Sequence, residues 1–228
     1  MASPGIALIA GLGNPGARYV ATRHNAGFQF IARLQAETGL TLAREKRFNA
    51  EVGRLPGPAG RAGAAGNPAV RVMTPATFMN LSGQAIAPLA SFYRISPAQI
   101  LVVHDELDLA PGVARLKRGG GHGGHNGLRD LIARLGGGDF LRLRIGIGHP
   151  GPGGKQEVSS YVLGKPDPAE RARIDSAIDR ALQVLDTVLS GDVDAAMHQL
   201  HTETAGETAG ETVAETAAAA TLKPAAGD

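Results

Sequence analysis

The chain has 228 residues, 43% of them hydrophobic, which is enough for the core of one sizeable domain. The absence of cysteine excludes disulfide bonds and cysteine-rich zinc sites and fits a cytoplasmic protein, while no apolar stretch approaches the roughly 18 residues of a membrane helix and the N-terminus does not resemble a signal peptide. The formal net charge is +2, but residues 201–228 hold one basic and five acidic residues, so residues 1–200 carry 22 basic against 16 acidic ones and favour a polyanionic partner.

The first half of the chain begins with a buried strand, Ile6–Ala10, that stops at a glycine-rich turn. A helix comes next, capped by Asn25, with apolar residues at helical spacing and its end at Gly39. Pro56–Pro68 is almost all Gly, Ala and Pro and predicts a flexible loop within a peripheral hairpin. The remaining elements of this half are a strand and a helix, Val70–Met73 and Ser82–Tyr93.

A clear buried strand, Ile100–Val103, opens the second half and ends at His104, Asp105 and Glu106. Another strand, Val113–Lys117, leads into the glycine-rich stretch Gly119–Gly124, and we expect Asn126 to cap the helix behind it.

Leu141–Ile147 alternates apolar residues with Arg142 and Arg144, which predicts a half-exposed strand. Asp167 and the proline behind it are typical of a helix start, and apolar spacing predicts one long helix through Leu189.

Strands and helices mix along the chain, so we predict an α/β protein: a single compact α/β/α domain over residues 1–200, with a mixed, mostly parallel, twisted sheet flanked by helices. Residues 201–228 repeat Glu-Thr-Ala-Gly with almost nothing to bury and are expected to be a disordered, low-complexity tail.

The string Gly11–Gly16, Gly-Leu-Gly-Asn-Pro-Gly, formally matches the dinucleotide-binding pattern G-x-G-x-x-G. In that motif a helix opens within the glycines and its N–H groups hold the pyrophosphate. Here Pro15 removes one N–H, the helix starts only at Asn25, and the expected acid about 20 residues on is missing. An oxidoreductase with a nicotinamide or flavin cofactor is thus a weak alternative, and a tight backbone turn explains the glycines but not Asn14.

His24 lies just before a helix, where a lone histidine is usually a surface residue. Asp105 changes that expectation because it comes directly after a buried strand, and sites in open α/β sheets gather where strands end. A carboxylate bound to one ring nitrogen fixes the tautomer and leaves the other nitrogen to take a proton from water. With no cysteine, and no serine in a nucleophile elbow, the sequence favours a His24–Asp105 pair acting on water.

Two further histidines, His122 and His125, lie three residues apart, but the glycine-rich segment supplies no third metal ligand. We therefore predict neither a metal nor a cofactor, and a mobile loop ahead of the Asn126 helix. Phe78 and Met79 are by default core residues, and Asn80 a helix cap. The basic residues near the glycine-rich loop are as consistent with a phosphate-binding face as with an ordinary solvated surface; they are Arg115, Lys117, Arg118, Arg129, Arg134, Arg142 and Arg144.

Six strings together resemble the bacterial peptidyl-tRNA hydrolase family over about residues 5–200: Gly-Leu-Gly-Asn-Pro-Gly, Thr-Arg-His-Asn-Ala-Gly, Thr-Phe-Met-Asn-Leu-Ser-Gly, His-Asp-Glu-Leu-Asp, Gly-Gly-Gly-His-Gly-Gly-His-Asn-Gly and Arg-Leu-Arg-Ile-Gly-Ile-Gly-His-Pro. The resemblance implies a monomeric, cofactor-free esterase that cleaves a peptide from the 3′-terminal ribose of tRNA. The Pro56–Pro68 loop is longer than in that pattern, and the acidic tail has no counterpart in it.

The resemblance also implies roles by position. His24 is expected to be the general base and Asp105 the residue that stabilises and orients it. Asn14 is expected to distinguish a blocked peptidyl end from a free amino acid. The other substrate-binding positions are Tyr19, Phe78, Met79, Asn80 and Asn126; the tRNA-facing cations are Arg115, Lys117 and Arg144; and residues 151–160 correspond to a mobile lid.

Two further alternatives stay open at this point. A non-catalytic RNA-binding module would explain the charge without any turnover, and related proteins of the same fold can act in RNA processing.

Overall fold

The structure is a computed structural model that describes residues 5–56, 69–151 and 155–201. Within these residues seven strands form one sheet in the order β2-β3-β4-β1-β5-β7-β6. The four neighbours β4, β1, β5 and β7 are parallel, and β2, β3 and β6 join at the flanks by antiparallel pairing. The strands are β1 Leu8–Gly11, β2 Ala43–Glu45, β3 Ala50–Leu55, β4 Val70–Pro75, β5 Ile100–Glu106, β6 Ala114–Arg118 and β7 Leu141–Gly146.

Helices cover both faces of the sheet, and each face has its own apolar core. The helices are α1 Ala26–Thr38, α2 Ser82–Phe92, α3 Asn126–Leu135, α4 Lys155–Val162, α5 Pro168–Gln183 and α6 Leu185–Ser190, and residues 193–201 are also helical. Helices α1, α5 and α6 pack on one face around side chains such as the fully buried Phe30. Helices α2 and α3 pack on the other, around Phe140. The predicted α/β/α arrangement with a mixed sheet is confirmed.

The helix boundaries show where local signals were right. α1 ends at Gly39, whose φ of 70° is the left-handed conformation expected of a C-cap. Asp167 caps α5 by accepting a hydrogen bond from the Glu170 N–H. The long helix predicted through Leu189 is instead two helices, because α5 ends at Gln183 and α6 begins two residues later.

Three local predictions were wrong. Asn25 precedes α1, but its side chain makes no capping bond. His125, and not Asn126, caps α3. Arg142 does not lie on a half-exposed strand; it is only 4% exposed, because carbonyl oxygens of Gly120 and Gly121 accept hydrogen bonds from its guanidinium group.

Several predictions fall outside the described residues. These are the flexible loop over residues 57–68, part of the lid at residues 152–154, and the tail at residues 202–228. The division into a domain over residues 1–200 and a disordered tail therefore stays a prediction. Among the residues that are described, we find no helix long and apolar enough to cross a membrane.

Candidate active site

A cavity of about 910 Å³ opens where the parallel strands end at their carboxyl side. The turn after β1 contributes Asn14, the turn after β4 contributes Phe78, Met79 and Asn80, and the end of β5 contributes Asp105. The glycine-rich loop and the start of α3 form another wall, and α4 faces them. Because parallel strands all finish at one edge of the sheet, side chains far apart in the sequence meet here.

His24 and Asp105 form the buried centre of this cavity, as expected. The Nδ1 atom of His24 lies 3.0 and 2.9 Å from the two carboxylate oxygens of Asp105. The two residues are 7% and 3% exposed. The sequence indicated that Asp105 follows its strand, but β5 continues to Glu106. The carboxylate is therefore carried by a residue of the sheet itself.

The hydrogen bonds define the state of His24. Since Asp105 is an acceptor only, we assign the ring proton to Nδ1, which leaves Nε2 unprotonated beside the cavity. Burial opposes a charged imidazole, but the charge of Asp105 and its hydrogen bond outweigh burial and raise the pKa of His24. Burial likewise opposes ionisation of Asp105, yet the pKa of its carboxyl is lowered by electrostatic attraction to the imidazole rings of His24 and then His125, and by the hydrogen bonds from both rings.

Close packing of the backbone brings His24 to this position. A Cβ atom added at Gly27, in α1, would lie 2.3 Å from the carbonyl oxygen of Val103 and 2.5 Å from the backbone of Leu12. One added at Gly11 would lie 2.5 Å from the Gly27 carbonyl oxygen. The first glycine of the nucleotide-like string therefore serves helix–sheet contact. The cofactor alternative loses its structural basis, since α1 starts only at Ala26.

A second histidine shares the Asp105 carboxylate. His125 Nε2 lies 3.0 Å from Asp105 Oδ1, while its Nδ1 accepts hydrogen bonds from the N–H groups of Gly127 and Leu128 at the start of α3. The Nδ1 atom must therefore be unprotonated, which places the ring proton on Nε2, facing Asp105. No local pattern indicated this role, because the neighbouring Asn126 is the better capping residue by type.

The ligand atoms of His24, Asp105 and His125 all lie within 4.8 Å of one another, so a metal site has to be considered. A metal on His125 Nε2 would move the ring proton to Nδ1, against two backbone N–H groups that already point there. The donor set fits a hydrogen-bonded cluster better than a metal site.

Hydrogen bonds fix the orientation of the Asn14 side-chain amide. Its Oδ1 accepts from the Met79 N–H at 2.8 Å. Its main-chain N–H and C=O are both bound by the side chain of Asn25, at 2.9 and 3.0 Å. The Nδ2 group of Asn14 is therefore what remains to donate a hydrogen bond in the cavity. The role of Asn25 was missed from the sequence because this residue looked like a helix cap.

The remaining predicted substrate positions lie around the mouth of the cavity. Asn80 and Asn126 are exposed, and the side chain of Asn126 accepts a hydrogen bond from Arg129 at 2.7 Å. Phe78 is 50% exposed and meets Tyr19 edge to face, with ring centroids 6.4 Å apart. Met79 is only 3% exposed and belongs mainly to the core, although it also borders the cavity.

The three cations predicted to face tRNA, Arg115, Lys117 and Arg144, lie outside the cavity on the adjacent strands β6 and β7. Arg115 is paired with Arg144 across the two strands, and Lys117 with Arg142, so four cations share one face. We call these four residues the basic strip. Arg144 also bonds Glu106, with Nε and Oε2 2.8 Å apart. Like charges directly opposite one another on a sheet are destabilising, which suggests that the strip has a negatively charged partner.

Arg23, next to His24, is a further residue whose importance the sequence did not reveal. Its side chain is 11% exposed, and the guanidinium group binds both carboxylate oxygens of Glu170, at 2.8 and 2.5 Å. It also donates to the carbonyl oxygens of Tyr161 and Lys165. The loop that carries His24 is thereby fastened to α4, to α5 and to the segment between them, and α4 is one wall of the cavity.

Fold and site first define a class: an α/β/α enzyme with a hydrolase-type His–Asp pair at the carboxyl edge of its sheet. The chain belongs to the peptidyl-tRNA hydrolase family, whose model, described as Peptidyl-tRNA hydrolase, matches residues 8–208. The prediction made from the motif strings is thus confirmed for the family and for its hydrolase activity.

Comparison with individual proteins supports the same family. The peptidyl-tRNA hydrolase of Sodalis glossinidius is 53% identical over 202 residues, which cover 88% of this chain and 99% of that protein. The one from Methylococcus capsulatus is 53% identical over 198 residues, 86% of this chain and 99% of that protein. The crystal structure of peptidyl-tRNA hydrolase from Acinetobacter baumannii aligns with a TM-score of 0.77 and 48% identity, covering 86% of this chain and 94% of that one.

Proposed function

We propose that this enzyme hydrolyses the ester between a peptide and the 3′-terminal ribose of tRNA, with water activated by His24. The observation that carries the proposal is the buried His24–Asp105 contact, which leaves His24 Nε2 unprotonated beside a large cavity. General-base catalysis by such a group typically contributes roughly 10²–10⁴-fold to the rate.

The reaction runs in two steps. Water attacks the ester carbonyl carbon while His24 Nε2 takes one of its protons, and the resulting imidazolium is stabilised by Asp105. The bond from the carbonyl carbon to the ribose oxygen then breaks, and the imidazolium returns the proton to that oxygen. The products are a peptide carboxylic acid, ionised at neutral pH, and tRNA with a free 3′ hydroxyl. An asparagine amide or backbone N–H stabilises the intermediate oxyanion, which is typically worth about 2.7–4 kcal/mol per donor.

Recognition of the blocked end depends on the fixed amide of Asn14. Its Nδ2 group can donate to a peptide carbonyl oxygen, which every peptidyl or N-acetylated substrate possesses. A free aminoacyl group lacks that carbonyl and carries an ammonium group, which cannot accept a hydrogen bond. The side-chain amides of Asn80 and Asn126 at the cavity mouth likewise suit backbone groups, so the peptide sequence should matter little.

The tRNA is proposed to bind with its 3′ end beside Tyr19 and Phe78. The basic strip, through Arg115, Lys117 and Arg144, is proposed to contact its phosphates, so binding should weaken as salt rises. We propose that the enzyme acts in the cytoplasm, where peptidyl-tRNA arises during translation, and that it is a monomer, as the family resemblance implies.

The direct test compares N-acetyl-aminoacyl-tRNA with its free-amine counterpart, in EDTA. Hydrolysis of the acetylated substrate alone, lost in His24→Ala and retained in His198→Asn, is the expected result. His198 lies in the helical residues 193–201 and not around the cavity, so it controls for loss of a histidine. Tight tRNA binding without turnover would instead support the RNA-binding module, and undiminished activity of His24→Ala would show that another group is the base.

A further inference from the structure

The described part of the chain ends at His201, beside the edge strand β6, and the acidic residues follow it in the sequence. β6 is the last strand in the sheet order, so one side of it has no neighbouring strand among the described residues. His201 Nε2 accepts a hydrogen bond from the Leu116 N–H of that strand at 3.2 Å. Burial, and then the charge of Arg115, lower the pKa of His201, in keeping with a neutral acceptor close to that arginine. The chain therefore reaches residue 201 against the middle of β6.

The sequence after His201 is opposite in charge to the strand beside it. Leu116 stands between Arg115 and Lys117, two members of the basic strip that have no ion pair within the part of the chain that the structure describes. Within the next 14 residues the sequence places four glutamates at intervals of four, namely Glu203, Glu207, Glu211 and Glu215. We call these residues, 202–215, the acidic repeat.

Chain length allows the acidic repeat to reach the basic strip. An extended chain spans at most about 3.3–3.6 Å per residue, so Glu203 stays within roughly 7 Å of His201 and Glu215 within roughly 50 Å. A tether of this length corresponds to an effective concentration on the order of millimolar. One exposed pair stabilises the bound state only weakly, so several glutamates must pair together for that state to be populated at low salt.

Half of the repeat lies beyond the end of the region that the family model matches. The family model ends at residue 208. The Sodalis protein is matched over 99% of its own length but accounts for only 88% of this chain. Glu211 and Glu215 thus lie beyond the region that the family shares, whereas Glu203 and Glu207 lie at its end.

We propose that the acidic repeat binds the basic strip in the free enzyme and competes there with tRNA phosphates. The proposal rests on the proposed function, since it assigns the strip to tRNA. By occupying Arg115 and Lys117, the glutamates would raise the KM for tRNA substrates at low salt without touching the hydrolytic centre. Weakly bound polyanions would be excluded more strongly than the cognate substrate, which also engages the cavity.

The test neutralises two charges in the full chain. Glu203→Gln/Glu207→Gln should lower the KM for N-acetyl-aminoacyl-tRNA about two- to fivefold at low salt, the range expected for exposed ion pairs. The difference should disappear at high salt, and kcat should not change. The matched control is Glu45→Gln/Glu51→Gln, which removes the same charge from β2 and β3 at the opposite end of the sheet and should leave KM unchanged.

A third set of variants tests whether the change in KM depends on the basic strip. In a Lys117→Gln background, neutralising Glu203 and Glu207 should change KM much less than in the wild type. An unchanged KM in the tail variant, an equal decrease in the control, or an undiminished effect without Lys117 would each overturn the proposal. Hydrolysis of a small N-acetyl-aminoacyl ester without tRNA should be equal in the wild type, the tail variant and the Glu45→Gln/Glu51→Gln control; a wild-type enzyme inactive on both substrates would instead refute the proposed function.

Discussion

Two regions on neighbouring strands treat charge in opposite ways. At the end of β5, the Asp105 carboxylate is 3% exposed and receives a hydrogen bond from each of two histidines. On β6 and β7, the basic strip gathers four cations on one face, with like charges paired across the strands. The first region fixes geometry, because its members satisfy one another. The second lacks enough negative charge of its own, so it is suited to receive charge from outside.

The strongest way to break this comparison is to remove the charge of Asp105. Asp105→Asn keeps the shape but cannot stabilise an imidazolium, and we expect kcat to fall about 10²–10⁴-fold, measured with N-acetyl-aminoacyl-tRNA under saturating substrate. Asp108→Asn, an exposed acid three residues on, should have wild-type activity. A kcat within threefold of wild type in Asp105→Asn would mean that the pair does not do the chemistry.

The pH profile sharpens the same contrast. His24 is active when neutral, and its pKa is raised by Asp105 against the effect of burial. A plot of kcat/KM against pH should therefore have its midpoint above the usual 6.5, and below that midpoint kcat/KM should decrease about tenfold for each pH unit. Stability has the opposite sign: the contribution from His24 is fully present below pH 6.5 and is lost as pH rises through the folded-state pKa. An activity midpoint at or below 6.5 would contradict the assignment.

A buried neighbour gives an effect on stability. His104 is 2% exposed, and burial above all lowers its pKa to about 3. Unfolding lets it take up a proton, so the free energy of unfolding should decrease by roughly 1.4 kcal/mol per pH unit from this group as pH falls from 6.5 towards 3. When urea unfolding is measured at several pH values, the free energy of unfolding of His104→Gln should depend less steeply on pH than that of the wild type. His149→Gln, which replaces an exposed histidine, should keep the wild-type pH dependence.

The smallest effect belongs to the basic strip. Lys117→Gln should raise KM for N-acetyl-aminoacyl-tRNA only a few-fold and leave kcat unchanged, because it removes one exposed cation from the proposed phosphate contacts. The plot of log affinity against log salt concentration should become shallower, its negative slope losing about one unit of magnitude. Arg44→Gln, on β2 at the other end of the sheet, is the control. If both variants behaved alike, net charge and not the strip would govern binding.

The sequence predicted the layers of the fold and favoured a pairing of His24 with Asp105, which the structure then shows in contact. Both depend on signals that are local, namely apolar periodicity and a polar residue at the end of a buried strand. The motif strings then carried the family. Arg142 shows the limit of alternation: the pattern predicted exposure, but the glycine-rich loop covers this side chain and accepts its hydrogen bonds through the carbonyl oxygens of Gly120 and Gly121.

The residues that support the site could not be predicted because tertiary hydrogen bonds replaced the local ones. Asn25 precedes a helix, yet its amide binds both main-chain groups of Asn14, 11 residues away. At the start of α3, His125 provides the cap although Asn126 is the preferred residue type. Neither choice is decided within a window of sequence, since each requires knowing which loop lies opposite the helix end.

The contact between Gly27 and the β5 backbone has a consequence for how the enzyme can vary. Only a hydrogen atom fits between α1 and the carbonyl of Val103, because a methyl group would lie 2.3 Å from that oxygen. Even the most conservative replacement must push the helix, and His24 with it, away from the strand that holds Asp105. Gly27 is therefore a position at which heat-sensitive alleles should arise without any change to a reacting group, and a directed-evolution library gains nothing by sampling it.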